Sequence, residues 1–165
     1  MIQRFRTISS ILVAAALAAT VSSTVFAQAP PAPQAPAAPP AGPPAPCGPG
    51  VTDKNVAPGS RCFELRTYTV RAEGPGSIDL LHSRFRDHTN RLFRKHGMEI
   101  IGFWHATNKP NTLVYVLAYK DRAARDASWK AFQSDPEWVK VRTDMQVGVV
   151  VESVFMNAVD YGPMK

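Results

Sequence analysis

Apolar and polar residues alternate along residues 62–70, which is the two-residue period of a β-strand. Phe63 and Leu65 lie on one face of this predicted strand. The opposite face carries the polar-patterned set Glu64, Arg66 and Tyr68. A Gly-Pro-Gly sequence at residues 74–76 then breaks the extended pattern. The first element is therefore predicted to be a strand with one apolar and one polar-patterned face.

Between Ser77 and His96 the apolar residues recur at helical spacing, which predicts an amphipathic helix. Ser77 is suited to the N-cap position, and Gly97 stands where a helix C-cap glycine belongs. The apolar stripe contains Ile78, Leu81, Phe85 and Leu92. The opposite side is assigned the polar residues Arg84, Asp87, Asn90, Arg91, Arg94 and Lys95.

The same patterns predict three more strands and two more helices. The strands are expected over residues 100–106, 112–119 and 149–159, and the helices over residues 122–133 and from Pro136 onwards. Asp121 is suited to cap the longer helix, and proline is favoured at a first helical position. The order is β-α-β-β-α-β, the split βαβ arrangement of the ferredoxin-like fold. It predicts an α+β domain, a four-stranded antiparallel sheet with helices on one face.

Helices on one face leave the other face of this sheet without cover. The predicted third strand has apolar residues on both of its sides, which are Leu113, Tyr115, Leu117 and Tyr119 on one and Val114, Val116 and Ala118 on the other. An uncovered apolar face of this kind marks an interaction surface. We therefore expect a homodimer in which two sheets pair about a two-fold axis and close a dimeric α/β barrel.

The first part of the chain has the pattern of an export signal. Arg4 and Arg6 precede an apolar run, and Ala27 completes a small-residue cleavage pattern, which predicts a signal peptide over residues 1–27. An uncleaved anchor is the alternative, but Ser and Thr interrupt the run before about 20 apolar residues have accumulated. No transmembrane segment is then expected in the mature protein. The predicted location is periplasmic or secreted.

Residues 28–60 hold most of the chain's 15 prolines and are predicted to be a disordered Pro/Ala-rich tether. The folded domain is predicted to span residues 61–165. Cys47 and Cys62 lie at the two ends of the intervening segment. In an oxidising compartment such a pair is a disulfide candidate, and two independent thiols are the alternative.

Six segments of the domain, taken together, resemble the NIPSNAP family. They are FELRTY (residues 63–68), FRDHTNRLFRKHGM (85–98), GFW (102–104), LVYVLAYKDRAAR (113–125), SWKAFQSDPEW (128–138) and DYGPMK (160–165). Two positions depart from the usual family pattern, Phe103 in GFW and Gly162 in DYGP. The resemblance implies a ferredoxin-like, dimeric α/β-barrel fold. It implies no settled activity, because a fold by itself does not specify a function.

Histidines and tryptophans supply most of the candidate pocket residues. His88 and His96 fall on or beside the apolar stripe of the first helix and are expected at the helix–sheet interface, where related barrels hold their ligands. Hydrogen-bonded core or cap residues are the alternative for both. Trp104 and Trp129 are candidates for an apolar wall, as is Trp138, with ordinary core packing as the alternative.

Arg66 is a candidate for binding a carboxylate, with pairing at the dimer surface as the alternative. A metal site is not predicted, because the histidines of the first helix are six and eight residues apart rather than three or four. No P-loop, GxGxxG motif or catalytic triad is recognisable, so no cofactor is predicted. The chain has a net charge of +6, but it has no dense run of basic residues interleaved with aromatic ones. Nucleic-acid binding is therefore not predicted.

Two functions remain open from the sequence. The first is an exported, dimeric module of the cell envelope that binds a small apolar or aromatic ligand or another partner, and the tether favours it. The second is a cofactor-independent enzyme of the dimeric-barrel type, such as a monooxygenase or an isomerase acting on an aromatic compound. The inward histidines and tryptophans favour this second function.

Overall fold

The computed structural model describes residues 46–164, and the predicted signal peptide and most of the predicted tether lie outside this range. The elements are Cys62–Val70 (β1), Ile78–Arg84 (α1), the π-helical segment Phe85–Thr89, Asn90–Lys95 (α2), Glu99–His105 (β2), Thr112–Tyr119 (β3), Arg122–Ser134 (α3), Pro136–Asp144 (α4) and Val149–Asn157 (β4). The four strands form an antiparallel sheet in the order β2-β3-β1-β4. The predicted α+β, ferredoxin-like fold is confirmed. No helix among residues 46–164 is both long and apolar enough to cross a membrane.

Side-chain caps explain where the helices begin. The Ser77 hydroxyl accepts the N–H of Leu80 at 3.1 Å, and the Asp121 carboxylate accepts the N–H of Ala124 at 2.8 Å. Asp135 caps the helix that begins at Pro136. Each cap satisfies a backbone donor that has no partner within its own helix, and this fixes the three start points predicted from the sequence.

A π-helical turn interrupts the first long helix at Phe85–Thr89. The Thr89 hydroxyl donates to the Arg84 carbonyl at 3.2 Å within this turn. The wider turn shifts the side chains that follow relative to the 100° per residue of a regular α-helix. Arg84 is buried with 5% of its surface exposed, and Thr89 is buried as well. The prediction that placed Arg84 on the outer side of the helix was therefore wrong.

The sheet register identifies the face that the helices cover. Glu64 is paired with Leu117, and Arg66 with Tyr115, so the polar-patterned set of β1 shares a face with the buried residues of β3. We call this the covered face, defined by Glu64, Arg66, Tyr68, Leu113, Tyr115 and Leu117. The core lies between it and the helices, and much of that core is aromatic.

The other side of the sheet, which we call the open face, is defined by Leu65, Trp104, Val116, Val150 and Val154. Leu65 is paired with Val116 on one side and with Val154 on the other. Trp104 is 51% exposed and Val154 is 54% exposed. The open face therefore presents apolar side chains to solvent in a single subunit, and the homodimer remains a prediction.

Part of the predicted tether packs against the domain. Val56 forms a β-bridge with Val159, and the N–H of Ala57 donates to the carbonyl of Ala158 at 2.8 Å. Cys47 is buried and forms a disulfide with Cys62, with the two Cα atoms 4.8 Å apart. Residues 47–60 thus contact the folded domain, whereas the sequence had assigned them to a disordered tether. The composition of this segment predicted disorder because the contacts that hold it are made by a few backbone groups and one cysteine, which composition does not reveal.

Candidate functional site

A cavity of about 230 Å³ lies between the covered face of the sheet and the helices. Its walls combine arginines with aromatic rings, together with a few smaller side chains. The lining residues are Arg66, Tyr68, Arg84, Phe85, Thr89, Phe93, Trp129, Phe132, Gln133, Trp138, Arg142, Val147 and Val149. β1 contributes the first two of them, the end of α1 contributes Arg84, and the π-helical segment contributes Phe85 and Thr89. The two tryptophans come from α3 and α4.

The Glu64 carboxylate is the centre of a buried network beside the cavity. Arg125 binds both of its oxygens, with N–O distances of 2.9 and 2.7 Å, and Arg66 Nη1 lies 2.6 Å from Oε1. Trp129 Nε1 donates to Oε2 at 3.0 Å. Burial alone would raise the pKa of Glu64, but the hydrogen bond from Arg125 and the charges of Arg66 and Arg125 hold this pKa below its usual value.

Arg66 connects this network to the cavity wall. Its guanidinium carbon lies 4.3 Å from the ring centroid of Trp129, which is a cation–π contact. Its Nη2 donates to the Tyr68 hydroxyl at 3.3 Å. The charge of Arg66 is therefore balanced by Glu64 on one side, while the side chain lines the cavity on the other.

Arg84 lines the same cavity without such a balance. Its Nη1 donates to the carbonyl of Met145 at 3.2 Å, and its guanidinium carbon lies 5.6 Å from the ring centroid of Trp138. No carboxylate within residues 46–164 forms an ion pair with it. Burial lowers the pKa of Arg84 below its ordinary value, against the opposing effect of Tyr68 and Tyr115.

Aromatic rings form the apolar part of the cavity wall. Phe132 lies 4.4 Å from Trp138 and 5.0 Å from Phe93, measured between ring centroids. Phe85 makes an edge contact with Tyr68 at 5.9 Å. These rings contact one another in the edge-to-face and tilted arrangements that aromatic pairs favour, so they form a continuous apolar wall.

Of the predicted pocket residues, the structure brings Arg66 and Trp129 together at the cavity. His96 lies elsewhere: its Nε2 is 2.7 Å from Oδ2 of Asp135, which also binds Lys95 Nζ at 2.7 Å. These hydrogen bonds, that of Lys95 first, hold the pKa of Asp135 well below its usual value. His96 thus joins the end of α2 to the start of α4, as in the structural alternative considered for it.

His88 and Trp104 are also outside the cavity lining. His88 belongs to the π-helical segment and is half-buried, and the neighbouring Thr89 is the residue that faces the cavity. Trp104 lies on the open face because its strand partner is Val114, on the side opposite to Tyr115. Regular helix geometry and residue type alone could not distinguish these positions.

Sequence reasoning missed Arg84, which the structure places in the cavity wall. A signal existed, because Arg84 follows the buried Leu81 by three residues and therefore flanks the apolar stripe. Long charged side chains at such flanks are normally assigned to solvent. Among the described residues, no group of three or more His, Cys, Asp or Glu side chains is arranged to hold a metal ion.

Comparison with known proteins agrees with this fold. The NIPSNAP family model matches residues 63–162, which is more than half of the chain. A NIPSNAP family protein with unknown function from Agrobacterium tumefaciens, Atu4242, is 19% identical, with a TM-score of 0.57 over 64% of this chain and 95% of its own. A NIPSNAP domain protein from Burkholderia xenovorans is 23% identical, with a TM-score of 0.54 over 62% of this chain and 98% of its own.

A second Agrobacterium tumefaciens protein of the family, Atu5224, is 15% identical, with a TM-score of 0.56 over 64% of this chain and 99% of its own. At these identities the likeness shows a shared fold and does not transfer a ligand or a reaction. No curated protein sequence matches the chain. The match over residues 63–162 shows that the chain belongs to the NIPSNAP family.

Proposed function

We propose that this protein is an exported, homodimeric NIPSNAP domain of the cell envelope that binds a small ligand between its helices and its sheet. The cavity beside Arg66, Arg84 and Trp129 is the observation that carries the proposal. A concave site with apolar walls and a few placed polar groups is the usual form of a small-molecule site. The walls here are aromatic, and the polar groups are mainly cationic. An apolar part and a polar part of one ligand would therefore each meet a matching surface.

The chemistry of the lining favours binding over acid–base catalysis. No imidazole, carboxylate or thiol is among the described residues that line the cavity. The nearest carboxylate in the network, Glu64, is bound by Arg125, Arg66 and Trp129 and has a lowered pKa. A general base needs a pKa near the working pH and a free lone pair, and Glu64 has neither.

The dimer and the export rest on separate observations. The open face presents Trp104, Val150 and Val154 to solvent in one subunit, and a second sheet of the same kind would bury them. Export is supported by the charge and apolar pattern of residues 1–27 and by the Cys47–Cys62 disulfide, since disulfides persist in oxidising compartments.

Native mass spectrometry of the freshly purified protein tests the binding function and the dimer in one experiment. We expect a mass of two chains, with each chain beginning at Gln28 and carrying a small bound molecule that is released on denaturation. A single chain that begins at Met1 would contradict both dimer and export. A protein that neither retains a compound nor takes one up from an extract of its host would contradict the binding function.

The alternative function, a cofactor-independent enzyme, has one observation in its favour. The Tyr68 hydroxyl reaches the cavity wall and accepts a hydrogen bond from Arg66 at 3.3 Å, so a polar group of a bound molecule could be held there. Incubation of the retained compound with the protein in air separates the two functions. Recovery of the compound unchanged supports binding, whereas a catalytic change in its mass or its chromatographic position supports the enzyme.

A further inference from the structure

We propose that the ligand of this cavity is a small aromatic carboxylic acid, with its carboxylate bound by Arg84 and its ring packed against the aromatic wall. The proposal rests on the proposed ligand-binding function and names the chemical class of the ligand. Three observations carry the proposal: within residues 46–164 the Arg84 charge has no carboxylate partner, hydrogen-bond donors of the cavity wall have no acceptor there, and the cavity is small.

The arginines in and beside the cavity are not equivalent. Arg66 and Arg125 share the carboxylate of Glu64, and their contacts with it are 2.6 to 2.9 Å long. Arg84 has 5% of its surface exposed and no carboxylate partner within residues 46–164. A buried charge is costly unless an opposite charge accompanies it. An anion in the cavity would supply that opposite charge.

Unpartnered donors lie in the same region. Nε of Arg84 and Nε of Arg66, two residues of the lining, are buried and have no hydrogen-bond partner among the described residues. Both groups donate hydrogen bonds, and buried donors are rarely left unsatisfied in proteins. An acceptor in the cavity would satisfy them, and a carboxylate is an acceptor with two oxygens.

The shape of the guanidinium group favours a carboxylate. Its planar fork of N–H groups matches the two oxygens of a carboxylate in a bidentate contact. Phosphate would satisfy the same fork, but it carries no apolar part to occupy the wall formed by Phe93, Phe132 and Trp138. An acid with an aromatic ring uses both surfaces at once.

The size of the cavity limits the ligand to about one ring. Its volume of about 230 Å³ is below the roughly 300–1,000 Å³ that is typical of small-molecule pockets. A larger polycyclic compound would have to displace Trp138 or Phe132, which are held at 4.4 Å from each other. The expected ligand is therefore a single-ring acid such as a benzoate or a phenylacetate.

Binding of benzoate to the full-length purified protein, after dialysis to remove any retained compound, tests this assignment. Trp129 and Trp138 line the cavity, so tryptophan fluorescence reports on its occupancy, and a melting curve provides a second measure. Benzamide has the same ring without the charge, acetate has the charge without the ring, and inorganic phosphate is a different oxyanion. We expect benzoate to change the fluorescence and raise the melting temperature at concentrations where the other three have little effect.

Three arginine variants of the first long helix show which residue binds the anion. Arg84→Met removes the charge and keeps much of the side-chain volume, and we expect about a tenfold to hundredfold loss of benzoate affinity. The unliganded variant should melt no lower than the wild type, because a buried charge without a partner has been removed. Arg94→Met is the control, since Arg94 is exposed on α2, and its benzoate affinity should be that of the wild type. Arg84→Lys should recover part of the affinity.

The possible results separate this assignment from the binding function itself. Benzamide that binds as well as benzoate would overturn the acid assignment and leave the cavity as a binding site. Phosphate or acetate that matches benzoate would overturn the aromatic part. Benzoate affinity unchanged in Arg84→Met would overturn the role of Arg84. No binding of benzoate at millimolar concentration would overturn the acid assignment, and a different compound found by native mass spectrometry would still support the binding function.

Discussion

Both faces of the sheet depart from the usual pattern of a half-covered antiparallel sheet, each in a different way. Such a sheet usually turns apolar residues towards its helices and polar residues towards water. Here the covered face carries the ion pair of Glu64 with Arg66, while the open face carries Leu65, Val116 and Val154. A charged pair is thus buried beside Leu113, Tyr115 and Leu117 inside the subunit, and apolar side chains are exposed on the other side of the sheet.

These departures indicate a different task for each face. Charged side chains are costly to bury under a layer of helices. Buried charged groups therefore often mark a binding or catalytic site. Apolar side chains exposed on a flat sheet favour contact with another protein surface. The covered face therefore suits a ligand, and the open face suits a second subunit.

The largest expected effect is on the open face. Val154→Asp introduces a charge that a two-fold interface would bury twice, at a cost of several kcal/mol, so we expect a monomer with a lower melting temperature. Val139→Asp is the matched control, because Val139 is 42% exposed on α4, compared with 54% for Val154, and lies outside the sheet. Light scattering at micromolar concentration measures both variants. A monomeric wild type would refute the dimer outright.

The next effect is on the covered face. Glu64→Gln removes a fully buried anion from between Arg66 and Arg125, of which only Arg125 keeps another carboxylate among the described residues, that of Asp126, so we expect a loss of about 3–5 kcal/mol in the free energy of unfolding. Glu99→Gln removes an exposed ion pair with Arg61, and it should cost less than about 1 kcal/mol. Urea denaturation compares the two. Equal, small losses would show that the Glu64 network contributes little to stability.

The same network makes a prediction about acid. The pKa of Glu64 is lower in the folded protein than its ordinary value of 4.5, so the unfolded chain binds the proton more readily. The stabilisation is complete above about pH 4.5 and decreases as the pH falls through the folded pKa. Stability of the wild type should therefore fall more steeply below this pH than that of Glu64→Gln. Asp135, which also has a lowered pKa, is present in both proteins and does not affect the difference.

The sequence predicted the elements well because local rules determine them. The alternation in residues 62–70, the caps at Ser77 and Asp121, and Pro136 are short-range signals, and the strands and helices begin within a residue or so of the predicted positions. The relation between the faces of the sheet was harder to predict. Polarity assigned Arg66 to a polar-patterned surface, whereas the register with Tyr115 places it under the helices.

The site was predicted only in part, because it depends on contacts between residues that are distant in the sequence. Arg66 and Trp129 were chosen for their chemistry, and the structure brings them together at the cavity. Arg84 was missed because a long charged side chain at the edge of an apolar stripe is normally assigned to solvent, and only its tertiary contacts with Met145 and Trp138 show that it is buried. The pairing of Glu64 with Arg125 joins residues 61 positions apart, which local periodicity cannot show.

A smaller effect is expected at the disulfide, which joins the packed part of the predicted tether to β1. Cys47→Ser opens a link between residues 15 positions apart and should cost about 3 kcal/mol in the free energy of unfolding. A reductant should lower the melting temperature of the wild type to that of the variant and leave the variant unchanged. Two thiols that react with an alkylating reagent in the denatured, unreduced protein would contradict the bridge.

The smallest effect is expected at His88, and it tests whether the cavity on the covered face is the ligand site. His88 is half-buried in the π-helical segment, but it does not line the cavity, so His88→Ala should leave benzoate affinity unchanged and alter stability by no more than about 1 kcal/mol. His96→Ala is the useful companion, because it removes a 2.7 Å contact with Asp135 and should lower the melting temperature by a few degrees without affecting benzoate. If His88→Ala instead abolished benzoate binding while the protein remained as stable as the wild type, the ligand would lie against this histidine. The site would then be on the outer side of the helix, and the polar interior of the covered face would need another explanation.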